Sequence, residues 1–90
     1  MSRQRSMEKI LASEYVTIGE LVRLTESRYS TLKFYTEEGM LPFEQEEENM
    51  TRRYQRIESV ERIKRIVELR KQGKSIPEIK EILKNEEEQA

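Results

Sequence analysis

Apolar side chains recur along the chain in short groups at helical spacing, divided by polar stretches that carry cap and turn residues. After Ser6, a candidate N-cap, Met7, Ile10 and Leu11 stand at i, i+3 and i+4 and predict a short amphipathic helix ending near Glu14. Its apolar stripe needs a cover, supplied either by the rest of the domain or by a second copy of the chain. Residues 1–5 carry no apolar anchor beyond Met1 and are expected to fray.

Thr17-Ile18-Gly19-Glu20 forms a T-x-x-E capping box, so a helix is expected from Ile18 to about Thr25 with Ile18, Leu21, Val22 and Leu24 turned inward. The polar Thr25-Glu26-Ser27 stretch breaks it. Ser27 is expected to cap the next helix, Arg28 to Glu38, whose apolar or aromatic positions are Tyr29, Leu32, Phe34 and Tyr35 and whose stop is Gly39. Two short helices separated by so few residues predict a helix-turn-helix.

Met40-Leu41-Pro42-Phe43 and Thr51-Arg52-Arg53-Tyr54 then read as two very short strands around an acidic loop containing Glu44, Glu46, Glu47 and Glu48. Pro42 restricts its strand to an edge, and Asn49 is the expected left-handed residue of the return. Together they predict a hairpin wing. A longer helix follows, with Ile57, Val60, Ile63, Ile66, Val67 and Leu69 near 3.6 periodicity and Gly73 as its stop. The last helix opens on a second capping box, Ser75-Ile76-Pro77-Glu78, and buries Ile76, Ile79, Ile82 and Leu83. Residues 85–90 are an acidic tail, expected to fray because carboxylates at a helix C-terminus oppose its dipole. The predicted architecture is mainly α: four helices, a two-stranded wing and an extra N-terminal helix. It divides into an N-terminal extension at 1–15, a winged helix-turn-helix domain at 16–84 and the tail.

Charge sharpens the reading. The 17 Lys+Arg and 18 Asp+Glu leave a net charge of −1, which by itself points to no polyanion. By segment, however, residues 1–48 carry −4, residues 49–74 carry +6 and residues 75–90 carry −3. A polyanion meets that local field, not the sum. With no His and no Cys, the commonest general bases, thiol nucleophiles and soft-metal ligands are missing, so the chain reads as a binding module and not an enzyme. No cofactor is expected, and the glutamate-only loop lacks the Asp and turn glycine of a calcium loop. The longest apolar runs reach only three residues, which predicts no membrane span, and the absence of cysteine agrees with a reducing, cytoplasmic location.

Ile18-Gly19-Glu20-Leu21, Thr31-Leu32-Lys33-Phe34-Tyr35, Gly39-Met40-Leu41-Pro42, Asn49-Met50-Thr51-Arg52-Arg53-Tyr54 and Gly73-Lys74-Ser75-Ile76-Pro77-Glu78-Ile79 resemble, in order and spacing, the MerR family of bacterial transcription regulators. The likeness covers residues 16–83. It implies that the second helix of the pair lies in the major groove of double-stranded DNA while the wing meets the flanking backbone or minor groove. Helical geometry turns Tyr29, Ser30, Lys33 and Glu37 outward when Leu32 and Tyr35 face in. Lys33 suits guanine O6 or N7, Ser30 either purine, and Tyr29 a thymine methyl or a phosphate. Arg28 adds charge at the start of that helix. Arg52 and Arg53 match the family's Arg-rich wing motif, and a guanidinium fork delivers two donors to one phosphate. The amides at Thr17 and Ile18 offer a further phosphate dock. Tyr54 is expected under the wing with its hydroxyl near the surface, and Arg56, Lys64 and Arg65 extend the basic field.

The chain departs from the family pattern at Glu26-Ser27 in the turn, at Ser30 in place of Arg, at Phe34 in place of Tyr, and at Met50 in place of the wing glycine. Only seven residues follow Leu83, which leaves no space for an effector or metal sensor, so the resemblance is to a short form with no small-molecule effector. A module this small reads a half-site, which predicts a homo-oligomer joined through Met7, Ile10 and Leu11. Two other readings compete. One is an excisionase-like architectural protein of a mobile element; the other is a protein-interaction module that has lost DNA binding.

Overall fold

The computed structural model describes residues 4–89; Met1–Arg3 and Ala90, part of the expected frayed ends, lie outside them. In chain order the elements are α1 (Met7–Leu11), β1 (Tyr15–Val16), α2 (Ile18–Thr25), α3 (Tyr29–Glu37), β2 (Tyr54–Gln55), α4 (Arg56–Lys71) and α5 (Ile76–Glu88). The core joins Ile10, Val16, Leu21, Leu32, Tyr35 and Tyr54 to the inner faces of α4 and α5.

The capping boxes form as their sequences dictate. In α2 the Thr17 amide donates to Glu20 Oε1 at 2.9 Å and the Glu20 amide donates to Thr17 Oγ1 at 3.2 Å. Ser75 and Glu78 repeat the exchange at the start of α5. Gly39 and Gly73 close α3 and α4 with φ of 76° and 85°, where a Cβ would be strained.

The turn of the helix-turn-helix differs from expectation. Ser27 does not cap α3; its Oγ instead accepts from Thr25 Oγ1 at 2.8 Å, and the N-cap is Arg28, with no side-chain hydrogen bond. Glu26 supplies the reversal in the left-handed region, at φ 56°. Asn49, expected in that conformation, is not among the positive-φ residues.

The wing is also reorganised. A hairpin between the segments around Met40 and Arg53 shrinks to one antiparallel bridge, Glu44 with Arg53, closed by amide–carbonyl bonds of 2.7 and 2.8 Å. Met40 and Leu41 are buried in the core instead of running along an edge, and Pro42 has no amide to pair. The two-stranded sheet forms elsewhere. β1, unpredicted, pairs antiparallel with β2, Tyr15 opposite Gln55 and Val16 opposite Tyr54. That demand for strand ends α1 at Leu11, short of Glu14.

α1 docks on the domain through Ile10, which is fully buried, while Met7 and Leu11 remain exposed. Arg5, expected to fray, is held. Its guanidinium donates to both oxygens of Glu20 at 2.7 Å and to Ser13 Oγ at 2.8 Å, and its carbonyl accepts from Arg23 at 2.7 Å.

α4 buries Ser59, Ile63, Ile66 and Leu69. Ile57, predicted inside, is 54% exposed, because it stands about 200° around the helix from Ser59. Val67 lies on the flank and is also exposed. α5 continues through Glu88, past the point where fraying is expected: Glu86 accepts from Arg65 and Glu87 from Arg62, so two guanidinium groups of α4 offset the adverse dipole.

Candidate nucleic-acid interface

α3 turns Leu32, Tyr35 and Thr36 into the core. The same helical geometry leaves Tyr29 (55% exposed), Ser30, Lys33 and Glu37 on the solvent side, as the sequence predicts. Phe34 joins them and tilts against Tyr35, ring centroids 6.2 Å apart. Arg28 is exposed at the N-cap. Among the described residues, neither Arg28 nor Lys33 forms an ion pair.

Arg52 and Arg53 sit where the wing chain returns to β2, and both are exposed. Each guanidinium lies over an aromatic face. Arg52 is 4.7 Å from the centroid of Phe43 and Arg53 is 5.0 Å from that of Tyr15. Stacking of this kind occupies the ring side of the cation and leaves its in-plane N–H donors free. The Tyr15 hydroxyl donates to Glu44 Oε1 at 3.3 Å, and the nearby Glu44 charge is the main cause holding that phenol above its ordinary pKa. Neither aromatic platform is anticipated from the sequence; the only available signal is that Phe43 and Arg52 lie at opposite ends of the acidic loop.

Tyr54 is fully buried and its hydroxyl, expected near the surface, is not: it lies 2.9 Å from Thr36 Oγ1. Thr36 directs its own proton to the Leu32 carbonyl, so the phenol donates. The Tyr54 ring in turn meets Phe43 at 6.1 Å. A continuous set of contacts therefore runs from α3 through Tyr54 and Phe43 to Arg52.

Thr17 is committed to its capping box, and Glu20, only 9% exposed, brings a carboxylate to the start of α2. Arg5 neutralises it, and the salt-bridged hydrogen bonds are the first cause holding the Glu20 carboxyl below the usual range. What remains at that helix end are the amides of Ile18 and Gly19. Thr17 and Arg53 line one shallow groove together with Thr51 and Tyr15, which joins the start of α2 to the wing root.

Part of the basic middle segment is tied up within the fold. Arg56 donates to the Ser13 carbonyl, Arg62 to Met40 O and Glu87, and Arg65 to Glu86. Of the three residues expected to extend the basic field, Lys64 alone has no ion pair or side-chain hydrogen bond among the described residues, and Arg56 and Arg65 are structural. The acidic loop is tied across itself by Gln45, whose amide donates to the carbonyls of Glu48 and Met50. Among the described residues no group of acidic side chains is arranged to hold a metal ion, and no helix is long and apolar enough to cross a membrane.

A family model described as MerR HTH family regulatory protein matches residues 16–86. No curated protein and no solved structure gives a match.

Proposed function

Since the chain belongs to the MerR HTH family of regulatory proteins, we propose that it is a transcription regulator that binds double-stranded DNA in a sequence-specific manner. In this reading α3 enters the major groove. Lys33 and Ser30 read base edges, Tyr29 meets a thymine methyl or a phosphate, and Arg28 meets the backbone at the helix start. Arg52 and Arg53 grip the backbone beside the groove, and the amides at Ile18 and Gly19, beyond Thr17, add a weaker phosphate contact.

One observation carries the reading. Arg28 and Lys33 on α3 and both wing arginines are exposed and have no ionic partner among the described residues, so the helix and the wing keep their cations available, while Arg62 and Arg65 on α4 are tied to carboxylates. A single module neutralises few phosphates, so two copies on adjacent half-sites supply the specificity, with Met7 and Leu11 as the surface between them.

Binding to a duplex measured against salt tests this directly. With roughly four phosphates neutralised per protomer, log affinity falls against log salt with a slope near −3.6, and Arg52→Ala flattens the slope by about one. A flat salt response, or an Arg52→Ala variant that binds like the wild type, contradicts the proposal.

A further inference from the structure

Resting on the DNA reading above, we infer that Phe43 is a positioning residue for the wing: its ring holds the Arg52 guanidinium in the orientation that grips phosphate and ties that orientation to α3. Phe43 is 38% exposed, with Arg52 4.7 Å from its centroid on one side and the Tyr54 ring 6.1 Å away. Tyr54 is anchored to α3 through Thr36. An arginine on a free loop carries considerable rotamer entropy, much of it lost on binding. Stacking removes part of that loss in advance without using the N–H donors, so the cation is pre-ordered and still unsatisfied. The acidic loop sharpens the need. Glu44, Glu46, Glu47 and Glu48 lie between Phe43 and Arg52 in the chain, and an untethered guanidinium there has carboxylates within reach. Among the described residues Arg52 pairs with none of them.

Phe43→Leu keeps an apolar group against Tyr54 and removes the π face. Two measurements on the full chain test the inference. In the free protein, the heteronuclear NOE of the Arg52 side-chain Nε–H falls in Phe43→Leu and is retained in Phe43→Tyr. On duplex DNA, Phe43→Leu weakens binding about two- to fivefold, the range of an exposed cation–π contact, whereas Phe43→Tyr binds like the wild type. In an Arg52→Ala background, Phe43→Leu has no further effect. An unchanged NOE overturns the inference whatever the DNA result. If Arg52→Ala weakens binding but Phe43→Leu does not, or if the two losses add, the platform fails and the DNA reading stands. If the wild type shows no salt-dependent binding, both fall, and the NOE then reports only a surface contact. Unfolding midpoints of the variants within a few degrees of the wild type exclude loss of fold as the cause.

Discussion

Glu20 is the residue on which the N-terminal half closes. It caps α2 from within and accepts two guanidinium bonds from Arg5, fifteen residues earlier. Its pKa in the folded protein is lowered, so its contribution to stability is present above the unfolded glutamate value, about 4.3 to 4.5, and is lost as pH falls through the lower folded value. Glu78 is lowered too, first by the Ser75 backbone amide, and acts in the same direction. Urea midpoints measured from pH 7 downward should therefore fall in the acid range. Glu20→Gln should start lower at pH 7 and show a shallower acid decline, with the remaining slope due in part to Glu78. At this scale the sequence is legible wherever partners are neighbours. Thr17 and Glu20 announce their bond by spacing alone, whereas Arg5 belongs to a polar end with no periodic signal to locate it.

Among the elements, starts and stops are readable and pairings are not. Both capping boxes, both terminal glycines and the outward face of α3 follow from residues within a turn of one another. β1 has only two residues and acquires strand geometry because β2, far along the chain, pairs with it. The segment around Phe43 was open to the same competition. It reads as half of a hairpin until the burial of Met40 and Leu41 removes it from the ladder. The turn between α2 and α3 offers a direct check of local cost. Glu26 holds φ at 56°, a conformation costing a non-glycine residue roughly 1–2 kcal/mol, while glycine adds about 0.5–1 kcal/mol of unfolded-state entropy. Glu26→Gly should therefore stabilise the protein by about 0.5–1 kcal/mol in chemical denaturation, and a destabilised variant would show that the Glu26 side chain contributes more than its strain.

For the molecule as a whole, segment charge locates the basic middle but does not say which cations are spoken for. Arg56 and Arg65 look equivalent to Arg52 along the sequence and differ only in having partners in the fold. The same holds for α1. Its stripe is readable, but only the structure divides it, with Ile10 serving the core and Leu11, 51% exposed, left outside. Self-association is thus best probed by replacing Met7 and Leu11 with alanine while leaving Ile10 intact. If the wild type self-associates as proposed, sedimentation should show that association lost in the variant with its unfolding midpoint little changed; a monomeric wild type or undiminished association in the variant contradicts the α1 interface.

The last turn of α5 has a consequence for selectivity. Glu86 fills the fork of Arg65 much as phosphate oxygens would, while Glu87 takes a single N–H of Arg62, whose Nε–H stays with the Met40 carbonyl, so one guanidinium fork is held by an internal decoy. Ending the chain after Lys84 removes that decoy. With Arg65 released, affinity for arbitrary duplexes should rise and the salt slope steepen by up to about one, while the preference for a cognate site narrows. The Glu86 carboxylate would in that case govern how long the regulator lingers on the wrong DNA.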